Sequence, residues 1–218
     1  MAATEHSLHS SYREALLEHL FAGEVMKCLW LQGVHRMEVL KPQVDDGGYD
    51  LVLEANGVTR HVQMKSSHHR SGTARVNVSL RLMEKPSGCV VWTRFHRDTL
   101  ELGPFLWFGG APGQRLPDIS GFEVAKHTKG NAEGVKTERP NLRVVPRKLF
   151  DRVDSIQELV ERLFGPLLAD AERGGAHPSN NAQLWDRQIA EDVAAGRLDT
   201  LAEEALADLR AGRARPLR

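Results

Sequence analysis

Three polar side chains fall where a β-hairpin would bring them together. The stretch "GYDLVLEANGVTRHVQMKS" (48–66) holds two alternating apolar runs around Asn56-Gly57. An Asn-Gly pair in that setting is a strong hairpin signal, because both turn residues must accept positive φ. A two-residue turn sets Ala55 across from Val58, and counting outward from that pair sets Asp50 across from Gln63. Opposed residues share a face with Cβ atoms about 4.5–5.5 Å apart, and Lys65, two residues on, shares it too. The other face carries Leu51, Leu53, Val62 and Met64, an apolar set whose burial fixes the register. A carboxylate, an amide and an ammonium are thus gathered on a face that packing does not require.

A helix supplies a further acid. Residues 10–31 place apolar side chains at 16, 17, 20, 21, 25, 28 and 29, which is helical spacing. Leu17, Leu20, Phe21, Cys28 and Leu31 form one stripe, with Glu24 at its centre and Glu14 and Glu18 near its edge. A carboxylate in mid-stripe is costly to bury unless it is paired or metal-bound. The other reading puts Glu24 at a helix break after Gly23. Asp50, the Gln63 carbonyl and Glu24 offer the oxygen ligands that Mg²⁺ or Mn²⁺ takes, and Mg²⁺ needs only one or two carboxylates beside substrate phosphate. Such a metal activates water and neutralises charge on a phosphate. Lys65 would stabilise the transition state or orient the attacking water.

"GYDLVLE…HVQMKSS" with an upstream helical Glu resembles the PD-(D/E)XK nuclease superfamily over roughly residues 14–110. The resemblance implies an α/β (α+β) domain with an αβββαβ core, its central mixed sheet flanked by helices. It matches Asp50 to the motif Asp and Lys65 to the motif Lys. Gln63 stands where Asp or Glu is usual, as in QxK members, and Tyr49 stands where Pro is usual. Glu24 matches the helical Glu best, with Glu18 and Glu14 as alternatives. The implied activity is Mg²⁺-dependent endonuclease cleavage, with DNA the expected substrate and defence against foreign DNA a setting by analogy. The rival expectations are a nucleic-acid-binding module weakened in catalysis by Gln63, and a partner-binding component of a defence or toxin–antitoxin complex.

The rest of the chain sets the context. Its 218 residues suit one sizeable domain and an appendage, and formal net charge is zero. Charge distribution says more: 126–148 carries seven Lys or Arg against two Glu. Lys126, Lys129, Lys136, Arg139 and Arg143 in this irregular stretch are candidate phosphate contacts. Ser66, His68, His69 and Arg70, just after Lys65, are candidates too. His61, His68 and His69 fit no zinc spacing. Cys28 and Cys89 read as buried free thiols, and Trp92, Phe105, Trp107 and Phe108 as core. Strands are expected at 34–41, 89–96 and 99–109, whereas "RVNVSLRLMEK" (75–85) reads as strand or helix. A helix at 155–165 has Ser155 and Glu158 as a capping box. The N-terminus lacks an apolar signal core and no long apolar run occurs, so a cytoplasmic protein with no membrane association is expected. Domain limits are 1–168, a linker at 169–181 and a helical tail at 182–218, expected to bind a protein partner or a second copy through Trp185, Ile189 and Val193.

Overall fold

The computed structural model describes residues 9–44, 46–127, 134, 136–167, 169, 193–196 and 210. The chain divides into two compact units, Met1–Asp170 and Ala171–Arg218. The expected linker and tail lie almost wholly outside the described residues, Trp185 and Ile189 included; of the tail stripe, Val193 is described and is exposed. Among the described residues no helix is long and apolar enough to cross a membrane.

The first unit is α+β, with a six-stranded mixed sheet, a three-stranded sheet and two helices. Helix α1 spans Ser10–Leu31. Strands β1 (Met37–Leu40), β2 (Leu51–Ala55) and β3 (Val58–His68) form an antiparallel meander. β4 (Arg75–Ser79) and a 3₁₀ turn (Leu80–Glu84) then lead to β5 (Gly88–Phe95), which lies parallel to β3. β6 (Leu102–Gly109) follows, then β7 (Val124–Lys126) and β8 (Glu138–Pro146). β9 (Asp151–Val153) and helix α2 (Ile156–Phe164) complete the described elements of the unit. The large sheet runs β1-β2-β3-β5-β6-β9 and the small one β4-β8-β7.

The hairpin register follows from its turn. Asn56 and Gly57 have φ of 56° and 73°, Ala55 pairs with Val58, and Leu51 pairs with Val62. Leu51, Leu53, Ala55 and Val62 are buried in a core shared with Phe21 and Val25 of α1 and Leu159, Val160 and Leu163 of α2. Both helices therefore cover one face of the large sheet. The other face, bearing Val90, Trp92, Leu106 and Phe108, packs on Val78 of β4, Leu82 of the 3₁₀ turn and Val145 of β8.

Two expectations need correction. The αβββαβ pattern implies a helix between the third and fourth core strands, but here the β3–β5 crossover is β4 and a 3₁₀ turn. Val76 and Val78 alternate with polar Arg75, Asn77 and Ser79, and that period of two suits a strand. The 121–148 stretch is not irregular throughout: β8 crosses it, held between β4 and β7. Trp92, Phe105, Trp107 and Phe108 are core, and both cysteines are free and buried. Ser155 caps α2 as expected, accepting a 3.1 Å bond from the Glu158 N–H, while the Glu158 carboxylate reaches the Asp154 N–H at 3.3 Å.

Arg60 of β3 is fully buried, and among the described residues its bonds go to backbone carbonyls. Its Nε donates to the Leu163 carbonyl at 2.6 Å, and one Nη donates to those of Arg162 at 2.7 Å and Gly110 at 3.1 Å. The last carbonyls of a helix have no partner within it and carry partial negative charge, so a cation from the sheet closes the C-terminus of α2. The guanidinium also lies over the Trp107 ring, 5.3 Å from its centroid. Asn56, in the hairpin turn, adds bonds to the carbonyls of Phe164 and Pro166 at 2.9 and 3.0 Å.

Replacing Arg60 by Met strips these carbonyls of their donor while keeping side-chain bulk. The expected loss is about 2–4 kcal/mol in urea unfolding; a wild-type midpoint would show that the clasp is not needed. A second expectation concerns pH. Burial pushes the Cys89 thiol from 9.0 up to about 12. The unfolded chain ionises that thiol first, so its contribution is complete below pH 9 and is lost as pH rises from 9 towards 12. Cys89→Ala should flatten this part of the stability profile, read as a smaller wild-type-minus-variant difference at alkaline pH than at neutral pH.

Candidate active site

Asp50, Gln63 and Lys65 line one cleft of about 710 Å³ between the two sheets. Their placement follows from strand alternation. Gln63 pairs with Val90 and Lys65 with Trp92, and directly opposed residues share a face, so both project to the side away from the helices. Asp50 is the residue before β2. Its N–H donates to the Val62 carbonyl at 2.9 Å, and its Oδ2 accepts from the Met64 N–H at 2.6 Å. The carboxylate thus stands in for a strand partner on the β2 edge of β3, where pairing with β2 ends at Val62, and its Oδ2 is anchored at the cleft.

Gln63 is only 7% exposed, and its Oε1 accepts from the Ser79 N–H at 3.1 Å. A β3 side chain therefore ties β4 to the floor of the cleft. A carbonyl oxygen has two lone pairs, so this bond takes half of the acceptor capacity that metal binding would draw on.

The small sheet forms the opposite wall. Arg75, Asn77 and Ser79 of β4 line it, as do Glu138, Arg139 and Asn141 of β8, with His127 after β7. Asp46 and Arg81 also line the cleft and are joined to one another, Arg81 bonding both the carboxylate and the backbone carbonyl of Asp46, the latter at 2.7 Å. Lys65, Arg75, Arg81 and Arg139 share this space with Asp46, Asp50 and Glu138. Among the described residues no three His, Cys, Asp or Glu side chains are grouped to hold a metal. What the cleft does offer, one anchored carboxylate and one amide oxygen beside a lysine, matches the minimal set that Mg²⁺ accepts when phosphate and water complete its shell.

Glu24 is not among the residues of the cleft. Its helix packs on the opposite face of the sheet, and its carboxylate is 42% exposed and 3.5 Å from Lys27 Nζ. The apolar stripe that enters the core runs through Leu17, Phe21, Val25, Cys28 and Leu29, to one side of Glu24. Of the two other helical acids, Glu14 is exposed, while Glu18 is joined to Lys41. Lys41 follows Leu40, which pairs with Val52. Glu18 is therefore at the Asp50 end of the sheet, and Glu24 lies about 9 Å farther along the helix axis.

The expected phosphate contacts divide. Arg139 lines the cleft. Lys126 and Lys136 are exposed away from it, and Lys129 lies outside the described residues. Arg143 donates to the carbonyls of Ser120, Pro140 and Leu142 at 3.1, 2.7 and 3.2 Å, which makes it a loop clamp. Ser66, His69 and Arg70 are exposed and His68 is half-buried, and none of them lines the cleft. Ser66 and His68 alternate with Lys65 along β3 and so project to the other face. The loop after them is shaped by Arg94, which donates to Ser67 Oγ at 2.9 Å and to the carbonyls of His69 and Ser71 at 2.5 and 3.2 Å. Burial, then the nearby charge of Arg147, lowers the Arg94 pKa. His61 bonds the Pro86 carbonyl at 2.9 Å and meets the Tyr49 ring edge-on. Sequence reasoning missed Arg75 and Asn77, although polar residues at every second position of "RVNVS" were the available signal.

No family model matches the chain, and no curated protein matches it. Among solved structures, a bacterial homing endonuclease, I-Ssp6803I, is similar at 24% identity and a TM-score of 0.23 over 44% of this chain. The chain spans 59% of that protein's length. A likeness at that score does not bear on the site.

The Gln63–Ser79 bond gives a direct expectation. Gln63→Ala leaves the buried Ser79 N–H without its acceptor and should cost about 1–3 kcal/mol, whereas Gln63→Glu keeps an acceptor and should cost less. Equal losses in urea unfolding for the two variants would show that the bond does not hold β4.

Proposed function

We propose that this chain is a metal-dependent endonuclease that hydrolyses phosphodiester bonds, with DNA as substrate. The observation that carries the reading is the meeting of Asp50, Gln63 and Lys65 in one cleft, with cationic Arg75 and Arg139 on the facing wall. Asp50 and the Gln63 carbonyl would hold Mg²⁺ or Mn²⁺. When bound, such an ion activates water and neutralises charge on the phosphate.

The chain's own groups do the rest. The Met64 N–H fixes the Asp50 carboxylate, so its orientation is set before substrate arrives. Lys65 places an ammonium where negative charge builds on the phosphoryl oxygens, and fixed charges at such a point are worth more than mobile ones in water. Arg75 and Arg139 draw the anionic backbone into the cleft.

The second reading is a nucleic-acid-binding module with weakened catalysis. It is favoured by the Gln63 oxygen, which is neutral and already bonded to Ser79. Gln63→Glu separates the two, because a silent protein that gains cleavage on this change is a degenerate nuclease.

Supercoiled and linear DNA incubated with Mg²⁺, Mn²⁺ or EDTA provides the test. Cleavage by the wild type should need the metal, and Asp50→Asn and Lys65→Ala should each reduce it by about 10²–10³-fold with thermal stability retained. Asn is chosen because its carbonyl can still accept the Met64 N–H. Binding without cleavage at any metal would sink the nuclease reading in favour of the module, and full activity in either variant would remove that residue from the site.

A further inference from the structure

The wall facing Asp50, Gln63 and Lys65 is organised as a row. On β4, Val78 is fully buried in the second core and Val76, half-buried at the cleft wall, packs against that core, while polar Arg75, Asn77 and Ser79 alternate with them and line the cleft. Ser79 begins the row at the floor, where its N–H meets Gln63. From there the row runs outward about 13 Å to Arg75 at the strand rise of about 3.3 Å per residue. Arg139 lines the same cleft from the neighbouring strand. A polar track thus starts at the candidate reacting centre and ends on cations. Among the described residues Arg75 has a competing partner in Glu123 at 3.7 Å, but both side chains are about two-thirds exposed (68% and 66%), and such pairs hold weakly.

The shape of the space limits what can follow this track. Gln63 is 7% exposed because β4 sits directly on it, so a phosphate reaches the floor only by entering between the sheets. The cleft volume of about 710 Å³ falls in the range of small-ligand pockets, about 300–1,000 Å³. A duplex carries its paired strand along with every phosphate, and its wider groove alone is about 12 Å across. Among the described residues that line the cleft there is no Phe, Tyr or Trp, and His127 supplies the one aromatic ring, so the backbone is the part chiefly held.

We propose that the cleft takes a single nucleic-acid strand, with Arg75 and Arg139 holding phosphates that flank the one at Asp50 and Lys65, and Asn77 donating between them. The proposal rests on the nuclease reading of the cleft floor and adds its substrate class: an unpaired strand, held by its backbone without sequence readout.

Binding is read on full-length Asp50→Asn protein, which separates it from cleavage. Fluorescence anisotropy across a salt series would use a labelled DNA oligonucleotide, single-stranded and annealed to its complement. The single strand should bind at least about tenfold more tightly than the duplex. Arg75→Ala and Arg139→Ala should each weaken single-strand binding about tenfold and reduce the log–log salt slope by about 0.7. Arg152→Ala, outside the cleft and paired with Asp154, should change neither. Equal affinity for the duplex, or unchanged affinity and slope in both cleft variants, overturns the proposal. If the wild type binds single strands through Arg75 and Arg139 yet cleaves none in any metal, the track stands and the nuclease assignment falls.

Discussion

A buried guanidinium holds this domain in register. Arg60 sits on the central strand of the hairpin, fully removed from solvent, and its partners are backbone carbonyls at the end of α2. An unpaired buried cation is among the costliest groups in a protein interior, so the hairpin and the helix end cannot separate without exposing both. Asn56 repeats the connection one turn away. With the hairpin fixed against α2, Val62 is directed into the helical core, and Gln63 and Lys65 necessarily face the other way. The position of the cleft is in this sense a consequence of how the opposite face is packed.

The cleft itself depends on a second, smaller contact. β3 extends beyond its pairing with β2, and at that point Asp50 supplies the acceptor for Met64 while Gln63 supplies the acceptor for Ser79. Of the two expected ligands, Asp50 thus holds β3 at the start of β2, and Gln63 joins the two sheets. A carboxylate that is also a backbone acceptor is held with little freedom, which suits a group that must be in place before a charged substrate arrives. Gln63 illustrates the cost of the same economy, since an amide that supports β4 has less acceptor capacity for a metal.

Zero net charge is mirrored in the cleft, where four Lys or Arg side chains lie among three carboxylates. Lys65, Arg75 and Arg81 come from one stretch of chain, and Arg139 of β8 joins them in the same cleft. Local fields depend on such placement, and overall charge says little about them.

Several features were legible in the residues alone. The helix at Ser10–Leu31, the Asn56-Gly57 turn, the pairing of Leu51 with Val62 and the Ser155 cap all follow from short-range rules of periodicity and turn chemistry, which need no knowledge of the rest of the chain. The shared side of Asp50, Gln63 and Lys65 was legible for the same reason, because alternation along paired strands is geometric. What only the tertiary structure decided is which distant elements meet that face. Glu24 read as a buried acid because helical spacing identifies a stripe but not the side of the sheet on which the helix lies. Arg60 was unremarkable in sequence, because its partners are fifty residues away at Gly110 and more than a hundred away at a helix end. The polar row of β4 gained meaning only when the crossover laid it over Gln63. Local sequence sets backbone preference and facing, whereas long-range packing sets proximity, and a site made from two sheets depends on proximity.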